Sequence, residues 1–169
     1  MKRIITVIIS LIYAATLHAS ETGQQPAIDA AWFKAHYVKN EYMIPMRDGI
    51  RLYTAVYTPK NRRSHHPILL TRTPYGCGPY GRRNASFWQQ AIFEDYLRAD
   101  YIIVFQDVRG RWRSEGEFVN IRPYVADKSS GAIDESSDTY DTVEWLLRKL
   151  KCHNGRVGVF GNSYSGFYA

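Results

Sequence analysis

The sequence has 169 residues, enough for one domain with a substantial core, and is 45% hydrophobic against 22% charged, which excludes a disordered or fibrous chain. Lys and Arg number 22 against 16 Asp and Glu, a formal net charge of +6 at pH 7. That excess is too mild to argue by itself for a polyanionic partner.

In chain order, Lys2 and Arg3 form a positive start, Ile4 to Ala15 is an apolar run, and the small-residue exit Leu17-His18-Ala19 precedes Ser20. This order predicts a secretory signal peptide over 1–19 and an exported product, periplasmic or extracellular. The run is shorter than the ~20 apolar residues that span a bilayer, so no stable membrane insertion is expected. Cleavage removes Lys2 and Arg3 and no acid, and the net charge falls from +6 to +4. Arg62-Arg63, Arg82-Arg83 and the trio Arg109, Arg111 and Arg113 beside Trp112 lie on predicted loops with acids nearby, and no nucleic-acid partner is expected.

Residues 20–38 read as a lead-in. Asn40 to Met46 and Ile50 to Thr58 read as strands of a hairpin joined through Arg47-Asp48-Gly49, a strong turn signal. Pro67 to Thr71 is a short buried strand. Ser86, three residues before Gln89, starts a predicted helix to Ala99 with Phe93, Tyr96 and Leu97 on one face. Tyr101 to Phe105 is continuously apolar, as a strand covered on both faces should be. Ile121 to Ser137 reads as a surface excursion. Asp138 then caps a helix to Leu150, with Val143, Leu146, Leu147 and Leu150 inward and Asn154-Gly155 as its stop. Val157 to Phe160 is a further buried strand. Alternating strands and helices after a hairpin predict an α/β fold with a mostly parallel sheet.

That last strand runs straight into Gly161-Asn162-Ser163-Tyr164-Ser165-Gly166. A serine between small residues at a strand-to-helix turn is the pattern of a nucleophile elbow, although the strict five-residue form would want glycine at 165, where this chain has Ser165. Such a turn lifts the Ser163 hydroxyl above the sheet and points the Tyr164 backbone N–H at a developing oxyanion. Tyr75, taken by itself, reads as a loop or core aromatic.

The elbow, Arg72-Thr73-Pro74-Tyr75, Gln106-Asp107-Val108-Arg109-Gly110 and Ser114-Glu115-Gly116-Glu117-Phe118 together resemble the CocE/NonD family, the X-Pro dipeptidyl-peptidase-like group. Met46 to Gly49 and Asp138 to Trp145 are similar too, so that the resemblance runs over 39–169. It implies the N-terminal part of an α/β-hydrolase domain and a serine hydrolase acting on a small-molecule ester, amide or short peptide, with no cofactor. The family's elbow reads Gly-x-Ser-Tyr-x-Gly, which makes Ser163 the nucleophile and the uneven glycine spacing its normal form. The resemblance also makes the Tyr75 phenol the second oxyanion donor.

Asp107 and Arg109, after the fourth strand, are expected to fix a loop rather than to catalyse, and Glu115 and Glu117 to be solvated or loop-fixing. Cys77 and Cys152 fall at opposite edges of the sheet, ~17 Å apart for a five-residue strand, beyond the ~7 Å limit for a disulfide. His65-His66 are adjacent on a loop, so no metal site is expected. The usual chain order is serine, acid, histidine. Only six residues follow Ser163, none acidic or histidine, while all five histidines precede it. The triad acid and base are therefore expected beyond residue 169. The chain reads as a fragment, inactive by itself, with a hydrolase-like binding protein or an inactive remnant as the alternative.

Overall fold

The computed structural model describes residues 26–61, 65–83 and 93–169. The predicted signal peptide, the Arg62-Arg63 pair and the Ser86–Gln89 cap lie outside the described residues. Nine elements follow one another among the described residues: α1 (Ala30–His36), β1 (Tyr37–Pro45), β2 (Arg51–Pro59), β3 (His66–Thr73), α2 (Glu94–Arg98), β4 (Ile102–Asp107), α3 (Glu135–Lys149), β5 (His153–Val159) and a 3₁₀ turn (Ser163–Tyr168). The five strands form one sheet in the order β1-β2-β4-β3-β5.

The predicted hairpin is β1 and β2, paired antiparallel from Tyr37↔Pro59 to Pro45↔Arg51. It starts three residues earlier than its apolar pattern suggests, because Asp29 caps α1 by accepting the Trp32 N–H at 2.7 Å and α1 runs directly into β1. A helix of about two turns carries too little periodicity to stand out in a mixed segment. Its Phe33 nevertheless enters the core. β2 pairs antiparallel with β4, and β4, β3 and β5 are mutually parallel.

The continuous apolar runs are explained by two cores, one on each face of the sheet. Ile103 and Phe105 of β4 and Leu69 of β3 face one side, with Phe33, Tyr37, Tyr57, Phe93 and Leu97. Ile102 and Val104, with Ile68 and Leu70, face the other side against Leu146 and Leu150 of α3. Period-two alternation thus sends every side chain of β4 into a buried layer. Of the three residues expected on one face of the second helix, Phe93 and Leu97 are buried and Tyr96 is exposed.

The cap of α3 is Asp134, not Asp138. Asp134 and Ser137 form a reciprocal capping box, the carboxylate accepting the Ser137 N–H at 2.7 Å and the Ser137 hydroxyl accepting the Asp134 N–H at 2.9 Å. Asp138 lies one turn inside and faces the sheet. The helix ends at Lys149, and Asn154-Gly155 belongs to β5, where Gly155 takes a left-handed φ of +81°. β5 pairs with β3 and with no other described strand. Its outer side is open, with Val159 at 38% and Phe160 at 37% exposure. Cys77 follows β3 and Cys152 precedes β5, and neither is disulfide-bonded.

Burial works to raise the Asp134 carboxyl, but the Val125 and Ser137 N–H groups and the Lys128 ammonium hold it well below the usual range. The folded state therefore keeps this charge where the unfolded chain, at ~3.9, takes up a proton. Its stabilisation is intact above that value and is lost as pH falls further. Asp134→Ala should cost about 1 kcal/mol at pH 7, and the gap to wild type in urea melts should narrow by pH 3; a gap that widened in acid would contradict this origin.

Candidate active site

The parallel strands β3, β4 and β5 all end at one edge of the sheet, and the segments after them meet there. This carboxyl edge is where open α/β sheets carry their sites.

Phe160 donates its N–H to the Leu70 carbonyl at 2.8 Å, the last link of β5 to the sheet. The chain then reverses within three residues. Ser163 has φ +54°, in the left-handed region that non-glycine residues seldom enter, and its side chain is exposed. The reversal brings Gly161 against the next turn, where an added Cβ would stand 2.3 Å from the Ser165 carbonyl oxygen and 2.7 Å from the Gly166 Cα. At Gly166 an added Cβ would meet nothing nearer than 3.5 Å. The glycine before the serine is thus demanded by the backbone, while the position after it needs only a small residue. Tyr164 occupies the first turn of the 3₁₀ segment, where backbone N–H groups have no intrahelical partner.

The segment after β3 supplies Tyr75. Its N–H donates to the Thr73 hydroxyl at 3.1 Å, and its ring lies 6.0 Å from that of Tyr164, tilted by 58°. The ring is 66% exposed. The structure therefore brings Ser163, Tyr164 and Tyr75 together at one corner of the sheet.

Lys39, Asp107, Trp112 and Arg111 hold the segment that carries Tyr75. The buried Lys39 ammonium donates to the Pro79 carbonyl at 2.6 Å and pairs with Glu41 at 3.1 Å. Asp107, fully buried at the end of β4, accepts the Cys77 N–H at 2.7 Å, the Tyr80 hydroxyl at 3.0 Å and the Arg113 N–H at 3.3 Å. Pro74 offers its carbonyl to Trp112 Nε1 at 2.9 Å and to Arg111 Nε at 3.2 Å. Burial raises the Asp107 carboxyl above its ordinary range despite these donors. Burial and then the Asp107 charge push the Cys77 thiol well up, which keeps it protonated and a poor nucleophile.

Arg109 and Glu115 hold loops. Arg109 is buried and pairs with Asp48 of the hairpin turn at 2.6 Å and with Asp138 of α3 at 2.7 Å, so it contributes nothing to a basic surface. Glu115 pairs with Arg51 and accepts its N–H at 2.9 Å, and Glu117 is exposed.

Arg72 and Gln106 fall within the motifs of the resemblance, but nothing in the sequence points to their supporting contacts. Arg72, with no exposed surface, donates to the Gln106 side chain, the Glu135 carbonyl and the Thr139 hydroxyl, each at 2.9 Å. Gln106 in turn donates to Thr54 at 3.0 Å and Thr142 at 2.8 Å. All four described histidines lie away from Ser163. His66 opens β3 opposite His153 of β5, His65 directly precedes β3, and His36 precedes β1 at the same edge. Among the described residues no three His, Cys, Asp or Glu side chains are grouped to hold a metal ion.

The clash at Gly161 makes the two elbow glycines separable by experiment. Gly161→Ala should cost about 1–3 kcal/mol in thermal or urea melts, as overpacking does, whereas Gly166→Ala should stay within about 1 kcal/mol of wild type, the usual size of a change without a clash. Equal effects at the two positions would contradict the geometry of the turn.

Residues 48–169 match the X-Pro dipeptidyl-peptidase (S15) family. The chain is 37% identical over 131 residues to the cocaine esterase of Rhodococcus sp. (strain MB1 Bresler), which covers 76% of this chain and 20% of that protein. An aminopeptidase from the marine sediment archaeon Thaumarchaeota archaeon is similar in structure, with TM-score 0.69 and 37% identity over 88% of this chain and 25% of its own. An α-amino acid ester hydrolase, solved as the selenomethionine protein, gives TM-score 0.69 and 37% identity over 90% of this chain and 25% of its own. The chain thus spans about a fifth to a quarter of the length of these relatives. The expected α/β-hydrolase fold is shown over that part, by a mixed five-stranded sheet with flanking helices. On sequence and structure together, the chain belongs to the X-Pro dipeptidyl-peptidase (S15) family, within its CocE/NonD hydrolases.

Proposed function

We propose that the protein is a serine hydrolase that cleaves an acyl ester or amide bond through an acyl-enzyme on Ser163. The observation that carries this reading is the left-handed φ of +54° at an exposed serine, on a turn that tolerates no Cβ at Gly161. Strain at a solvent-facing nucleophilic side chain is a mark of a functional turn. The Ser163 oxygen adds to the substrate carbonyl, giving up its proton to a base. The carbonyl oxygen becomes an oxyanion, held by the Tyr164 backbone N–H and the Tyr75 phenol. Collapse expels the alcohol or amine, which takes up the proton. Water then releases the acid and restores the serine.

The relatives are named for ester and peptide cleavage. The substrate proposed here is accordingly a small ester, an amide or a short peptide, including α-amino acyl and X-Pro forms. The base that Ser163 requires is not one of the four described histidines, which stand at or beside the amino ends of the parallel strands. The same placement supports a second reading, a hydrolase-like binding protein or an inactive remnant. Export through a signal peptide over 1–19 completes the proposal.

In the whole protein, Ser163→Ala should abolish turnover of p-nitrophenyl esters and labelling by a fluorophosphonate. Near-wild-type turnover in that variant sinks the assignment, and a protein that neither turns over nor labels belongs to the second reading. Tyr75→Phe should lower kcat by about 10² to 10³, the usual cost of one oxyanion donor. Mass spectrometry of the exported protein should show a chain that begins near Ser20, and an intact Met1 would refute processing.

A further inference from the structure

Tyr75 is poorly held by its own side chain. The ring is 66% exposed, it touches the Tyr164 ring, and its phenol oxygen has no hydrogen-bond partner among the described residues. A donor that acts on an oxyanion is effective only when it is aimed in advance. The aim of Tyr75 must therefore come from the backbone on either side of it.

Trp112 grips that backbone at both flanks. Its indole Nε1 donates to the carbonyl of Pro74, immediately before Tyr75, at 2.9 Å. Its ring lies flat against Gly76, immediately after Tyr75, where an added Cβ would stand 3.0 Å from Trp112 Cε2. Arg111 Nε gives the Pro74 carbonyl a second donor at 3.2 Å, which fills both lone pairs of that oxygen. The Arg111 guanidinium is itself seated 4.9 Å over the Phe118 ring.

The loop that presents Trp112 is built at conformational cost. Trp112 has φ +52°, a genuine outlier for a bulky side chain. Gly110 has φ +69° and an added Cβ there would lie 2.0 Å from the Phe118 nitrogen, so no other residue fits. Hydrogen bonds from Arg111 N–H to Val108 O at 3.1 Å and from Ser114 N–H to Arg111 O at 2.9 Å hold the loop in place. Such strain survives only where the surroundings over-determine it, and it gathers at functional sites. The indole is nevertheless 61% exposed, so core burial does not account for its placement.

We propose that Trp112, seconded by Arg111, is the positioning residue for Tyr75: it clamps the Pro74–Gly76 backbone so that the phenol is aimed before substrate arrives. This rests on the reading of Tyr75 as an oxyanion donor. Trp112 acts through Tyr75 and does not itself take part in the bond changes.

The test is a double-mutant cycle in the whole protein on a p-nitrophenyl ester, with hydrogen exchange of the 74–78 segment measured alongside. Trp112→Ala should lower kcat by about 10- to 100-fold, the scale set by small misplacements of a catalytic group, and leave KM within about 3-fold. Trp112→Phe, which keeps the ring on Gly76 and loses the Nε1–H, should fall between. In a Tyr75→Phe background, Trp112→Ala should cost no more than about 3-fold, because coupled residues are not additive. Amide exchange at Cys77 should speed up at least about tenfold in Trp112→Ala, as a locally loosened segment does. Equal losses in both backgrounds, or a loss in KM alone, would overturn the proposal. Wild-type kcat in Trp112→Ala with an impaired Tyr75→Phe overturns the clamp and leaves the oxyanion reading standing. Wild-type kcat in Tyr75→Phe overturns that reading and the positioning role of Trp112 with it.

Discussion

Asp138 stands between two buried guanidiniums, and the carboxyl edge of the sheet depends on that arrangement. Arg109 reaches it at 2.7 Å from the loop after β4 and Arg72 at 3.6 Å from the end of β3. Asp48 from the hairpin turn and Glu135 from the first turn of α3 complete the network. Two arginines and three carboxylates thereby tie together the hairpin, two central strands and the helix that covers one face. Burial draws the Arg72 guanidinium down from its ordinary value, and Asp138 and Glu135 draw it back. Charges buried this deeply are tolerable only because each has partners, and removing any one leaves another uncompensated. The ends of β3 and β4 are fixed to one another through this network and through Gln106, and β5 joins them by its pairing with β3 and the Phe160 N–H to the Leu70 carbonyl.

Much of the fold is legible from the sequence because its signals are local. Asp48-Gly49 between two alternating runs marks the hairpin, and the apolar runs at 68–70 and 102–105 mark strands covered on both faces. The boundaries that moved did so for long-range reasons. Asp138 has the chemistry of a cap and stands before an apolar stripe, yet Arg109 and Arg72 claim it, and the capping falls to Asp134. Gly155 looks like a helix stop and serves as a left-handed kink within β5. The short helix before β1 is invisible to periodicity and is stabilised by the packing of Phe33.

The candidate site divides in the same way. Ser163 and Tyr164 are legible because the elbow needs small residues next to a serine within one short stretch. Tyr75 by itself was not, since its meaning comes from a resemblance and from its place beside Tyr164. The supports are less legible still. Lys39 on β1 and Asp107 and Trp112 at and after the end of β4 come from separate stretches, and they meet the segment after β3 only through the sheet order β1-β2-β4-β3. No spacing rule links a tryptophan at 112 to a proline carbonyl at 74.

The backbone at residue 163 also restricts which side chains can stand there. A left-handed φ is tolerable for an unbranched side chain and is a severe outlier for a β-branched one. Threonine, which offers the same hydroxyl chemistry, is therefore disfavoured at this corner on conformational grounds alone. Cysteine, unbranched and nearly the same size, is not. Among hydroxyl and thiol side chains the turn thus favours a primary alcohol or a thiol, and a shape requirement set by Gly161 and Ser165 carries a consequence for chemistry.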